Sequence, residues 1–518
     1  MPTNTIGQLD VIHLTIPYYS DPTELYFNLC NDSNCSLLLE SAEIESKENL
    51  QSLMLIDAAV RITCRGKQII LTALTTNGEN VLTHLQQSIN SLFNPILEGT
   101  TLQLTVPNIE PALDEDSRLI QLSAMDPLRA IRHCYQLAGL PDKALFLAGL
   151  FAYDLVENFE PMPTIAEGNN CPDYLFYIAE TLLTIDHQKQ TSELQGTLFS
   201  GENEQLNREK LTLRLEQIKS TQVTEIPPAT IVEDISVETN ISDSDFCQIV
   251  DDLKQSVIKG DIFQVVPSRQ FTLPCPSTLQ AYRTLKVQNP SPYMFYLKDS
   301  DFTLFGASPE SALKYDAKDN QVEIYPIAGT RRRGKNSDGS INKDLDGRIE
   351  LELRCDKKEQ AEHMMLVDLA RNDVARISQA GTRHVAELLK VDRYSHVMHL
   401  VSRVVGQLRP ELDALHAYQA SMNMGTLTGA PKIRAMQLIR QVEGQRRGSY
   451  GGAVGYLTGT GSMDTCIVIR SAYVEDGMAT IQAGAGVVYD SIPQAEADET
   501  RGKAQAAINA IKHAHSIN

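Results

Sequence analysis

The sequence predicts an α+β protein, of a mixed α/β kind rather than a doubly wound sheet. Strand-like and helix-like stretches both recur along all 518 residues. Their order is not a clean βαβ alternation, so the helices do not read as crossovers of one parallel sheet. The chain is also too long for one compact core, and about two to four domains is the usual expectation.

In the first 220 residues, apolar runs at 36–39 and 68–72 read as strands and 127–139 as a helix. Residues 219–246, "KSTQVTEIPPATIVEDISVETNISDSDF", are polar with a Pro pair and read as a connection. We therefore expect an N-terminal region over 1–230 and a second region over 240–518. The two need not follow sequence order, because strands of the first can join the sheet of the second. Residues 245–259 fit an amphipathic helix capped by Ser244. Further strands are expected at 263–266, 293–298, 321–325, 452–457, 464–472 and 479–484. Further helices are expected at 277–288, 350–378, 412–421, 431–443 and 493–515.

Lys plus Arg (46) against Asp plus Glu (66) leaves a formal charge of −20. That argues against a nucleic-acid or anionic-membrane partner, since phosphate binding needs a positive field. A small anionic substrate needs only a local positive site. No stretch approaches the roughly 18 apolar residues of a membrane span. The N-terminus lacks a basic and an apolar segment, so secretion is not expected. Nine dispersed Cys without a CxxC pair read as reduced thiols of a cytoplasmic protein.

Several constellations can carry chemistry. Glu359 and Glu362, and again Glu496 and Glu499, stand three apart on expected helices, so each pair shares one face. Two such faces suit a hard cation such as Mg²⁺, or are simply solvated, with Glu499 paired to Lys503. "PIAGTRRRG" offers Gly329 and Thr330, and "IQAGAGVVYDS" offers Gly484 and Gly486. Bare backbone there can approach an anion, or can make a tight turn or bulge. Arg470 lies within the apolar run "TCIVIRSAYV", where a buried guanidinium needs an anionic partner. A substrate carboxylate and an internal salt bridge both answer that need. His399 lies among apolar residues, as a core histidine or a proton-transfer group. Glu310 follows a Pro after a strand-like run, a place for a general acid.

The ordered set "GASPES", "PIAGTRRRG", "EHMMLVDLARND", "VMHLVS", "GTLTGAPK", "GGAVGY", "IVIRSAY", "AGAGVVYDS" and "EADET" resembles the chorismate-utilising enzymes. Within them it is most similar to the component I (aminase) subunits of anthranilate synthase. The motifs cover about 245–515, and "LLLES" and "NPSPYM" extend the resemblance toward the N-terminus.

That resemblance implies a sandwich of mainly antiparallel sheets with outer helices, with an N-terminal regulatory, partner-binding region packed on it. It implies Mg²⁺ held by Glu362 and Glu499, with Glu359 and Glu496 close by or acting through water, bridging the ring carboxylate of chorismate. Arg470, Tyr450 and the amides of Gly484, Ala485 and Gly486 are implied for the enolpyruvyl carboxylate, with Gly329 and Thr330 as pocket wall. Most of the arginines 331–333 are expected to make protein ion pairs or to steer an anion inward. Glu310 is implied as general acid, His399 as assisting pyruvate elimination, and Thr426 as lining the same pocket.

Sister activities of the family carry Lys where Ala328 or Gln264 stands here, and the two substitutions together point to direct amination at C2. None of the Cys has the flanking glycines of a glutaminase nucleophile; Cys64 has Gly66 after it and no Gly before. A separate glutamine amidotransferase subunit (component II) is therefore implied as ammonia source, in a cytoplasmic heterotetramer, with free ammonia as the alternative donor. Feedback inhibition by tryptophan is implied between "LLLES" and "NPSPYM", at Glu40, Ser41, Pro292, Tyr293 and Met294. The absence of Trp suits an enzyme made when tryptophan is scarce.

Overall fold

Many strands here are apolar on both faces, and the reason is visible in the packing. Neighbouring residues of "SLLLE" enter different cores: Leu37 packs among strand residues such as Leu55, Phe295 and Leu304. Leu38 packs instead with Met54, Met294 and Phe305 beneath helical Tyr282, Leu285, Ala504 and Ile508. A period-two chain buried on both sides must be apolar throughout. The computed structural model describes residues 6–41, 50–110, 114–165, 169–233, 235–394 and 397–516.

Among the described residues, 23 strands join one hydrogen-bonded network, mostly antiparallel. One path through it begins at Ser268–Pro274 and runs through Met478–Gly484, Ser471–Glu475, Thr303–Ser308 and Tyr293–Lys298. It continues into Ser36–Glu40, Gln51–Arg65, Tyr174–Asp186 and Phe146–Phe151. It returns through Ala453–Thr458, Met463–Ile467, Ser311–Asp316, Gln321–Ile324 and Val397–Gln407. Strands from before residue 230 thus lie between two groups of strands from after residue 240. The core made only of strand and loop residues, such as Leu55, Phe146, Tyr177 and Val454, fills the space between sheet arms. Helices cover the outer faces, as in the cluster of Val367, Ala370 and Val374 against Leu313 and Val404. This is the α+β sandwich with outer helices.

Most expected elements are present, and four differ for clear reasons. The expected strand 464–472 is two strands, Met463–Ile467 and Ser471–Glu475, broken where Arg470 takes a left-handed φ of 48°. The expected helix 350–378 is two helices, Lys343–Cys355 and Lys357–Ile377, because Asp356 leaves helical geometry to cap the second. The helix expected over 127–139 is Asp126–His133, after which Tyr135 and Gln136 pair with Gly7 and Gln8. Helix Asp243–Ile258 starts earlier than expected, because Ser242 rather than Ser244 accepts from the Asp245 amide. The long strands Gln51–Arg65 and Tyr174–Asp186 were not expected, since an unbroken apolar run fits a buried helix segment as well.

Asp299 ties the early strands to the later ones. It accepts from Arg61 Nε and Nη2 at 2.8 and 2.7 Å and from the Tyr177 hydroxyl at 2.5 Å. Replacing it removes the bidentate partner of a half-buried guanidinium, which keeps Asp301 at 2.9 Å, and leaves the buried phenol the Lys298 carbonyl at 3.2 Å. Asp299→Ala should cost about 3–5 kcal/mol, read as a lowered midpoint in thermal unfolding, with the Arg61→Leu/Asp299→Leu pair recovering part of the loss.

Candidate active site

The site forms where two chain breaks meet across the sheet. Strand Thr303–Ser308 pairs with Ser471–Glu475, and Ser311–Asp316 pairs with Met463–Ile467. The turn holding Pro309 and Glu310 therefore faces the gap holding Arg470, and Ala307 N–H donates to the Arg470 carbonyl at 3.2 Å. Burial pushes the Glu310 carboxyl up to about 8, against the opposing pulls of Thr426, Lys503 and Arg470. It is therefore mostly a neutral acid at pH 7. Arg470 is partly buried, and desolvation lowers its pKa, with Glu310 and Tyr394 acting the other way. Among the described residues its guanidinium makes no hydrogen bond or ion pair.

His399 stands on strand Val397–Gln407 opposite Thr330, and its Nδ1 lies 2.9 Å from the Thr330 hydroxyl. A bulge between Ala328 and Thr330 turns that hydroxyl toward it, and Gly329 makes the bulge with φ +75°. A Cβ at Gly329 would lie 3.1 Å from both Glu359 Oε2 and Leu353 Cδ1. Burial and the Arg470 charge push His399 down to about 4, so the ring is neutral at pH 7. Its Nε2 is buried with no partner among the described residues. Of the three arginines, Arg331 pairs with Glu359 at 2.9 Å and Asp356 at 2.8 Å, and Arg333 grips Asp346. Arg332 is exposed.

Tyr450 is buried, and its hydroxyl meets the backbone at Gly484, where a Cβ would lie 3.1 Å from it. Ala485 commits its N–H to the Pro267 carbonyl at 3.1 Å, so it forms wall rather than donor. Gln264 fills the space beside Gly486, whose Cβ would lie 2.9 Å from the amide nitrogen. Thr426 lies against Glu310, without a bond of full hydrogen-bond geometry.

The four glutamates come from two helix starts, where backbone N–H groups favour acids. Lys357–Ile377 is capped by Asp356, and Pro493–His515 opens on proline. Ser491 does not cap the latter; its hydroxyl serves Val488 N and Gly486 O. Glu496 lies on the buried stripe with Ala497, Thr500 and Ala504, while Glu499 is exposed. Burial raises Glu362, and the charges of Glu359, Glu499 and Glu496 raise it further. Burial also raises Glu496, with Glu499 adding to it. Cations already answer part of this charge: Lys503 lies 2.7 Å from Glu499, and Lys358 lies 3.8 Å from Glu362. Among the described residues no three His, Cys, Asp or Glu side chains cluster tightly enough to hold a metal ion alone. Hard oxygen donors in excess negative charge nonetheless fit Mg²⁺, which takes one or two carboxylates and completes its shell with water and substrate.

A cavity of about 750 Å³ lies next to this site. Glu40, Ser41, Pro292, Tyr293 and Met294 all line it, because strand Ser36–Glu40 pairs with Tyr293–Lys298. The Glu40 carboxylate is held by Tyr282 at 2.6 Å and Lys286 at 2.5 Å. Tyr394 lines the same cavity and sets its ring edge-on to His399, 5.1 Å between centroids. Sequence reasoning missed Tyr394 and saw Lys503 only as an ion-pair partner. Lys503 also donates to the Gly484 carbonyl at 3.0 Å, which joins the carboxylates to the glycine run. Its i,i+4 spacing from Glu499 was visible; nothing local marked Tyr394.

The raised acid of Glu310 has a consequence for stability. Between about pH 4.5 and 8 the folded chain keeps a proton there that the unfolded chain has released. Stability from this group therefore falls as pH rises across that window, on the order of 1 kcal/mol per unit. Glu310→Gln should unfold at a higher temperature than the parent at alkaline pH, with the gap closing toward pH 5; a constant gap would contradict the burial account.

The geometry agrees with three comparisons. The family of chorismate binding enzymes matches residues 86–509. Anthranilate synthase component 1 of Vibrio parahaemolyticus is 64% identical over 99% of this chain and 94% of that protein. The protein of the same name from Escherichia coli K12 is 55% identical over 96% of each. The crystal structure of anthranilate synthase component I from Streptococcus pneumoniae matches with a TM-score of 0.67 at 28% identity, covering 90% of this chain and 94% of that one. The chain therefore belongs to the chorismate binding enzymes, within the component I family of the anthranilate synthases.

Proposed function

We propose that the protein aminates chorismate at C2 with ammonia and then eliminates pyruvate to give anthranilate, the first step of tryptophan biosynthesis. The observation that carries this reading is Arg470: a desolvated guanidinium with no acceptor among the described residues, facing a neutral Glu310. A carboxylate on the substrate supplies the missing acceptor, and a bidentate pair fixes its orientation. Tyr450 and the Gly484–Gly486 backbone close that end of the pocket.

In the first step ammonia forms a bond to C2 and the C4–O bond breaks. Glu310 donates its proton to the departing hydroxyl, which leaves as water. The new ammonium sheds a proton, leaving the amine. In the second step the C2 proton is removed, the C3–O bond breaks, and the enolpyruvyl group leaves as the enolate of pyruvate, which takes up a proton from solvent at its methylene carbon to give pyruvate. Neutral His399, with Nδ1 engaged by Thr330 and Nε2 unpartnered, is suited to accept that proton. Glu362 and Glu499 would hold Mg²⁺, with Glu359 and Glu496 near or through water. Bound there, Mg²⁺ supplies Lewis-acid stabilisation at the ring carboxylate. Ala328 and Gln264 leave the pocket without the lysines of the sister activities, which suits a nucleophile that arrives as ammonia. A glutaminase subunit supplies it, in a cytoplasmic heterotetramer; the relatives' name, component 1, agrees with a second component.

Tryptophan is the proposed occupant of the 750 Å³ cavity, with the region before residue 230 supplying one wall. Tyr394 connects that cavity to His399.

Chorismate, Mg²⁺ and an ammonium salt at alkaline pH should yield growing anthranilate fluorescence; chorismate loss without anthranilate would indicate a sister activity instead. Arg470→Ala should lower kcat/KM for chorismate by about 100-fold or more. Leu39 also lines that cavity, and Leu39→Trp, which occupies part of it, should keep uninhibited turnover and lose suppression by tryptophan.

A further inference from the structure

Outside the residues already assigned, Arg447 is a buried charge near the site whose guanidinium is bonded at all three nitrogens. It is 3% exposed. Its Nη1 donates to the Leu427 carbonyl at 2.8 Å, and its Nη2 to the Val266 carbonyl at 2.6 Å. Nε and Nη2 grip Glu443 at 3.0 and 2.6 Å. The guanidinium also lies 4.7 Å from the Tyr153 ring and 5.5 Å from the Tyr450 ring. Glu443 in turn accepts from Ser268 N at 2.8 Å and Ser268 Oγ at 2.7 Å.

Each of these partners adjoins a wall of the proposed pocket. Leu427 follows Thr426. Val266 and Ser268 flank Pro267, whose carbonyl takes the Ala485 N–H, and Ser268 pairs directly with Gly484. Tyr450 meets Gly484. We infer that Arg447 is a positioning residue: one planar fork holds the Thr426 loop, the Gly484–Gly486 backbone and Tyr450 in mutual register. Backbone bonds already link the residues after Thr426 to Val265 and Val266, and these to the Gly484–Val487 run. The guanidinium adds the end of helix Lys432–Glu443 and the Tyr450 ring to that set and fixes the Leu427 and Val266 carbonyls from the side. The fork matters because the acceptors are two carbonyls and a carboxylate in fixed directions, which a lysine point charge cannot serve together.

The inference rests on the proposed amination reading, and its test uses the full chain. Arg447→Ala and Arg447→Lys would be assayed for ammonia-dependent anthranilate formation, with folding followed by thermal unfolding. Both should lose about 100-fold in kcat/KM for chorismate, because small displacements of pocket walls are that costly. The KM for chorismate should rise while the KM for ammonia stays unchanged. Guanidinium or methylguanidinium at low millimolar concentration should restore activity to the Ala variant, and sodium chloride should not. A purely structural role predicts loss in proportion to unfolded protein, with both KM values unchanged and no rescue; that result overturns the inference. Kinetics within threefold of the parent for Arg447→Lys would overturn it too. Parent protein that forms no anthranilate would instead remove the functional reading and this inference with it.

Discussion

At Arg470 the backbone turns left-handed, and an apolar strand stops for three residues before resuming. A non-glycine residue in that conformation is held there by its surroundings. Here the surroundings are the flanking strands, each anchored in antiparallel register to its own partner. The same two partners are joined by the turn carrying Glu310. The pocket thus inherits its depth from paired strands and its opening from paired interruptions. The cation and the acid face each other as a result, in a place where desolvation acts on both.

The electrostatics of the site follow from how unevenly it is solvated. Glu310 keeps its proton and His399 lacks one, although both are buried by the same sheet, because burial disfavours whichever form is charged. An acid and a base are therefore both in working form near neutrality. At the other end, the glutamates lie at the helix starts, Glu496 buried and the others partly or fully open to water, with Lys358, Arg331 and Lys503 beside them. Those cations hold excess negative charge in place within a chain that is already at −20.

The 750 Å³ cavity adjoins the candidate site, with Pro309 and Ser311 on either side of Glu310 and Tyr394 beside His399 in its lining. Strands from early in the sequence close one side of the cavity. Tyr394 lies between that space and His399, its ring 5.1 Å from the imidazole. In the same way Arg447 converts several weak loop positions into one rigid unit, because its acceptors are buried and would each be costly to leave unpaired.

By itself the sequence determined the α+β class, most element positions, the helical pairing of glutamates and, through ordered motifs, the family. These are local properties: periodicity, spacing and residue type are read within one or two turns of chain. It also supplied most of the residues assigned to the pocket, though not their assembly. Only the tertiary structure decided that "LLLES" and "NPSPYM" are neighbours, through strands some 250 residues apart that pair directly. It decided that the expected strand 464–472 breaks at Arg470, because apolar residues on both sides hide a change of backbone region. It alone brought in Tyr394 and Arg447. Their roles come from what surrounds them, and burial, acceptor geometry and desolvation arise only when distant segments pack together.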